Sequence, residues 1–131
     1  MLRKLVLAGT AVAIAVSLSV TAFAGANDYV FEPVKAEIKK GDDVVVSVRL
    51  KHKASGKPVP DAVIVQTRID MGPDGMGEMA SPLTPVPSDE PGVYAFKAPL
   101  TMAGRWLLTL SAKVQGEPDT VVGKIIFKVA R

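Results

Sequence analysis

From Asn27 onward, hydrophobic positions recur every second residue rather than every 3.6. That is the signature of strands with one face buried and one face wet. Tyr29 to Ile38 forms a first strand region, with Pro33 marking an edge or a bend, because proline cannot donate to a ladder. After the polar turn Lys39-Lys40-Gly41-Asp42-Asp43, Val44, Val46, Val48 and Leu50 share one face. Ser47, Arg49 and Lys51 share the other. A second turn, Lys53 to Pro58, precedes the alternation of Asp61 to Met71. There Val63, Val65, Thr67, Ile69 and Met71 are expected on one side, and Ala62, Ile64, Gln66, Arg68 and Asp70 on the other. Pro82, Pro85 and Pro87 allow only a short edge strand near Leu83 to Val86. Val93 to Ala98 is a strand. The clearest one follows, with Trp106, Leu108, Leu110, Ala112 and Val114 on one face, and Thr120 to Ala130 closes the chain.

About seven strands at near-regular spacing, with no helical pattern among them, predict an all-β fold: an immunoglobulin-like antiparallel β-sandwich, with a small barrel as the alternative. Glu90-x-Gly92-x-Tyr94-x-Phe96 has the form of a tyrosine corner, in which the phenol hydroxyl bonds back to the backbone. Phe96 would stand where antibody domains carry a disulfide cysteine, and Trp106 would pack in the core.

The first residues break the pattern. Arg3 and Lys4 precede an uncharged run from Leu5 to Val20, and Ala22-Phe23-Ala24 is a small-x-small cleavage pattern, with Ala24-Gly25-Ala26 as a second one. This predicts a signal peptide over residues 1–24 and a folded domain over 25–131, placed in the periplasm. An uncleaved anchor is the alternative, since Leu5 to Ala24 could span a bilayer. Either way the domain faces outward. Removing residues 1–24 takes away two cations and no acid, leaving 14 Lys and Arg against 13 Asp and Glu. A mature net charge of +1 argues against a nucleic-acid partner, which needs a basic face to neutralise phosphates. The chain has no cysteine, so neither a lipid anchor nor a disulfide is available.

The chemistry is concentrated between Asp70 and Met79, where ten residues hold three methionines, three acids and three glycines. Glycine and proline predict a loop there. Met71 ends a strand, Met76 and Met79 sit in the loop, and Met102 opens the turn before Trp106. Thioethers are soft ligands that suit Cu(I). If the two turns share one end of the sandwich, Met71, Met76, Met79 and Met102 form a candidate copper site. The plainer role for methionine is to fill irregular gaps in a core. His52, the only histidine, is a second and weaker candidate, for Cu(II). Asp70, Asp74 and Glu78 do not have calcium-loop spacing and are expected to solvate the loop. No nucleophile elbow, phosphate loop or triad is present, no small-molecule substrate is evident, and no enzyme is expected.

Several landmarks in order resemble a known family. These are the turn Gly56-x-Pro58-Val59-x-Asp61-Ala62, the methionine-bearing loop, Pro91-Gly92-x-Tyr94, and Met102-Ala103-Gly104-x-Trp106. Over roughly residues 30–130 the chain is similar to YtkA-like and FixH-like exported domains. FixH proteins keep a membrane anchor, from which the alanine-rich cleavage site here departs. The resemblance implies an extracytoplasmic immunoglobulin-like module linked to copper delivery, copper resistance or assembly of a copper-containing respiratory oxidase. Its implied partners are membrane-bound transporter or oxidase components. The alternative is an interaction module that docks on such a partner by strand addition without binding metal.

Overall fold

The computed structural model describes residues 26–131; the expected signal peptide lies outside them. Nine strands are numbered in chain order: β1 Tyr29–Pro33, β2 Glu37–Lys39, β3 Gly41–His52, β4 Val63–Met71, β5 Met76–Ser81, β6 Thr84–Val86, β7 Val93–Leu100, β8 Gly104–Lys113 and β9 Val121–Ala130. They form two sheets, one in the order β1-β3-β7-β6 and the other β2-β9-β8-β4-β5. All pairs are antiparallel except β2 with β9. The fold is the two-sheet sandwich that the alternation predicts. Among the described residues no helix is long and apolar enough to cross a membrane.

Alternation sets the core because opposite residues in a ladder point to the same side. Val46 pairs with Phe96 in one sheet and Trp106 with Phe127 in the other, and all four are buried. Val48, Leu50, Leu100, Leu108, Leu110 and Val129 complete the facing rows. Each such side chain contributes about 1.5–3 kcal/mol by leaving water, so these rows outweigh any surface contact in holding the sheets together. The sheets pack closely where Gly123 faces Phe31: a side-chain carbon there would run into the ring.

The tyrosine corner forms as expected. The Tyr94 hydroxyl donates to the Val59 carbonyl at 2.7 Å and accepts from the Ala62 amide at 3.0 Å. It thereby fixes the entry into β4 from a strand more than thirty residues away.

Three expectations change. The Tyr29–Ile38 region is two strands in different sheets. The Val34 amide still bonds Ser47 of the first sheet, while the Ala36 carbonyl already accepts from Lys128 of the second. The chain crosses between them at Lys35, two residues after Pro33. In β4 the register against β8 shifts between Ile64 and Gln66, so Val65 is an extra, bulged residue. The bulge inverts the alternation upstream: Val63 and Val65 are exposed, and Ile64 packs against the core instead. Finally, the Asp70–Met79 stretch is only partly a loop. A short 3-10 turn, Gly72–Asp74, leads directly into β5.

Candidate functional site

β4 enters the site as Ile69-Asp70-Met71, all buried. Proline in the 3-10 turn presets its own backbone angle, and Gly75 closes the turn at φ 78, a left-handed conformation that favours glycine. The Gly75 amide donates to the Gly72 carbonyl at 2.8 Å, and the chain returns with Met76 paired directly to Met71.

Two carboxylates lock this hairpin. Asp70 accepts the Gly72 amide at 2.8 Å through Oδ1 and the Arg68 Nε at 2.9 Å through Oδ2. Arg68 in turn donates from Nη2 to the Gly77 carbonyl at 2.9 Å, holding the start of β5. Asp74 accepts both the backbone amide and the Nε of Arg105, each at 2.8 Å. The same guanidinium donates to the Pro73 carbonyl at 2.7 Å. The Arg105 amide first, and then its side chain, hold the Asp74 carboxyl below the usual carboxylate range. The two acids are therefore parts of the scaffold, not only solvated loop residues. Arg68 and Arg105 are the residues that sequence reasoning missed. The available signal was a compact loop with three acids and no cation of its own.

The Asp74–Arg105 clamp brings the two methionine-bearing segments to one end of the sandwich. Arg105 is the second residue of β8, and the turn before that strand carries Met102. The Met102 carbonyl accepts the indole Nε1–H of buried Trp106 at 3.0 Å. Gly104, at φ 144, is the point of closest approach: a Cβ there would sit 2.5 Å from the Met71 Cε and 2.6 Å from the Asp74 Oδ2.

The four methionines divide sharply. Met71 is fully buried, with its methyl group against Gly104. Met76, Met79 and Met102 are 38%, 42% and 41% exposed. Met71 thus sits beneath the site as packing, and the other three thioethers are open to a ligand. The Ser81 hydroxyl donates to the Pro99 carbonyl, tying the far end of β5 to the opposite sheet.

His52 lies at the opposite end. It closes β3, whose first residue, Gly41, pairs with Leu100 just before the Met102 turn. Eleven residue steps of about 3.3 Å separate the two ends, roughly 36 Å in all. The His52 ring instead packs on Tyr29, with centroids 4.8 Å apart. Burial, and then the hydrogen bond that Tyr29 donates to Glu117 at 2.8 Å, push the Tyr29 phenol up to about 12. Among the described residues no three His, Cys, Asp or Glu side chains converge where a metal ion could be held.

Residues 23–111 match the family model described as YtkA-like, well over half of the chain. The chain belongs to the YtkA-like family. No curated protein matches its sequence. Solved structures of similar shape include the two that follow. The crystal structure of the Lin-41 filamin domain has a TM-score of 0.43 at 20% identity, covering 73% of this chain and 91% of that one. The ZirS C-terminal domain has a TM-score of 0.43 at 13% identity, with 88% and 82% covered. In this YtkA-like domain the Met-Ala-Gly-x-Trp landmark has a physical basis. The indole closes the turn on the Met102 carbonyl, and Gly104 leaves room for Met71 and Asp74.

Proposed function

We propose that this YtkA-like domain is a periplasmic, non-enzymatic copper-handling module that binds Cu(I) through Met76, Met79 and Met102 and passes it to a membrane-bound transporter or oxidase component. The observation that carries the reading is the partition of the methionines. Three exposed thioethers stand on segments joined by the Asp74–Arg105 clamp, and the one buried methionine supports them. Leaving large apolar side chains in water forfeits burial energy, about 25 cal/mol per Å². Valines and an isoleucine elsewhere on the sheets are similarly exposed, so what suits a role for the sulfur is that three thioethers are exposed on two joined segments at one end. Thioether-only donor sets suit soft Cu(I) over harder ions. Such sets hold it weakly, which fits transfer better than storage.

The test is an anaerobic titration of the purified protein with Cu(I) against a colorimetric chelator. About one equivalent should bind, and the triple variant Met76→Ile, Met79→Ile, Met102→Ile should lose at least ten-fold in affinity. Met71→Leu, a volume-conserving change in the core, should leave the affinity as it is. Absence of binding, or equal binding by the triple variant, discards the proposal.

A further inference from the structure

The second feature that the fold leaves open lies along the side of the sandwich. β4 runs for nine residues, but β5 pairs only with Ile69, Asp70 and Met71. After Ser81 the chain leaves this sheet: Pro82 follows, and Thr84–Val86 joins β7 of the other sheet as β6. Among the described residues, Val63–Arg68 therefore has β8 on one side and no strand on the other. Unpaired ladder groups at such an edge are a template for another strand.

Beside this edge a cleft of about 750 Å³ opens between the sheets. β6 is only three residues long and leaves the start of β7 uncovered, so the cleft reaches inward to Phe96 and Tyr94, with Ile64, Val65 and Val86 on its walls. Val63 and Val65 are 60% and 49% exposed. No lysine or arginine lines the cleft; its charged lining residues are Asp89 and Glu90. Glu90 is already bonded to Arg49 at 2.8 Å, which leaves Asp89 as the exposed carboxylate at the rim. Exposed Asp61 stands between the lining residues Pro60 and Ala62 and adds a further acid nearby.

We infer that a protein partner adds an extended segment to the free edge of β4, with its apolar side chains in this cleft and a lysine or arginine against Asp89. Backbone pairing along Val63–Gln66 starts beyond the Pro82–Leu83 crossover, which lies beside Thr67 and Arg68, and the Val65 bulge turns an exposed valine toward the guest. Alternation of the guest's side chains puts every second one into the cleft. The absence of lining cations and the acidic rim select for a basic end over an acidic one. This surface includes none of the three exposed methionines, so it stands whether or not copper binds.

The test selects a phage-displayed random decapeptide library on the metal-free protein and maps the enriched peptides by amide chemical shifts. Enriched sequences should alternate apolar and polar residues and carry Lys or Arg at one end, with shifts confined to residues 63–68 and 86–96. Val65→Lys, at an exposed edge position, should weaken binding at least ten-fold with no change in melting temperature. Asp89→Lys should remove the preference for a basic end, and the triple methionine variant should bind like the wild type. No enrichment, shifts mapping elsewhere, or unchanged binding by Val65→Lys overturns the inference. So does a protein dimer that Val65→Lys dissociates, because a second copy would then fill the cleft.

Discussion

Asp74 does at the scale of one residue what the composition of its loop only hints at. Its two oxygens receive the amide and the guanidinium of Arg105 across 31 positions of sequence, joining the β4–β5 hairpin to the start of β8. Because the folded state lowers its pKa below the ordinary 3.8, the carboxylate stabilises the fold wherever the unfolded chain is also ionised. That contribution is lost as pH falls through the lower, folded-state value. Asp74→Ala should therefore reduce the thermal midpoint at neutral pH, and the gap from wild type should close below about pH 4, where carboxylates protonate. Thermal melts of both proteins between pH 2 and 7 check this; a gap that stays constant across the range would show that the charge is not what matters. The acids and methionines of the loop are legible in the sequence. Their partners Arg68 and Arg105 are not, because nothing local tells a strand arginine which turn it will meet.

Elements meet at Gly104. Its φ of 144 suits glycine, and the space that a Cβ would need is taken by the Met71 methyl and the Asp74 carboxylate. Gly104→Ala should cost about 1–3 kcal/mol in urea unfolding, from backbone strain alone or with displacement of the hairpin added. A loss of under a few tenths would mean that the two turns are not packed as described. β4 illustrates the limit of reading elements from alternation. From Thr67 to Met71 the expected face is correct, but one bulged residue, Val65, reverses the face before it. A bulge depends on the register of two strands some fifty residues apart, so period-two counting along one strand cannot detect it.

At the scale of the molecule, the sandwich separates the thioether end, the His52 end and the open side along β4. The separation predicts an order of oxidation. Under limiting peroxide, Met76, Met79 and Met102 should convert to sulfoxides well before Met71, which is reached only when the hairpin opens. Peptide mass spectrometry over a time course reads this directly. Equal rates at all four sulfurs would contradict the burial of Met71. The far-end position of His52 also means that replacing it should not alter any property of the methionine end.

The sequence by itself determined that this is a β-sandwich, which residues of most strands face inward, where the tyrosine corner forms and which side chains could offer sulfur. Each of these follows from local periodicity or from short-range motifs, and the chain carries them without knowing its partners. Tertiary structure alone decided which sheet each half of the Tyr29–Ile38 region joins, which methionine is covered and which three are open, and that β4 begins with an unpaired edge. Those outcomes depend on burial and pairing between residues distant in the chain. Met71 and Met76 differ little as letters in a sequence; the Gly104 backbone lying over one of them makes the first a packing residue and leaves the second in water.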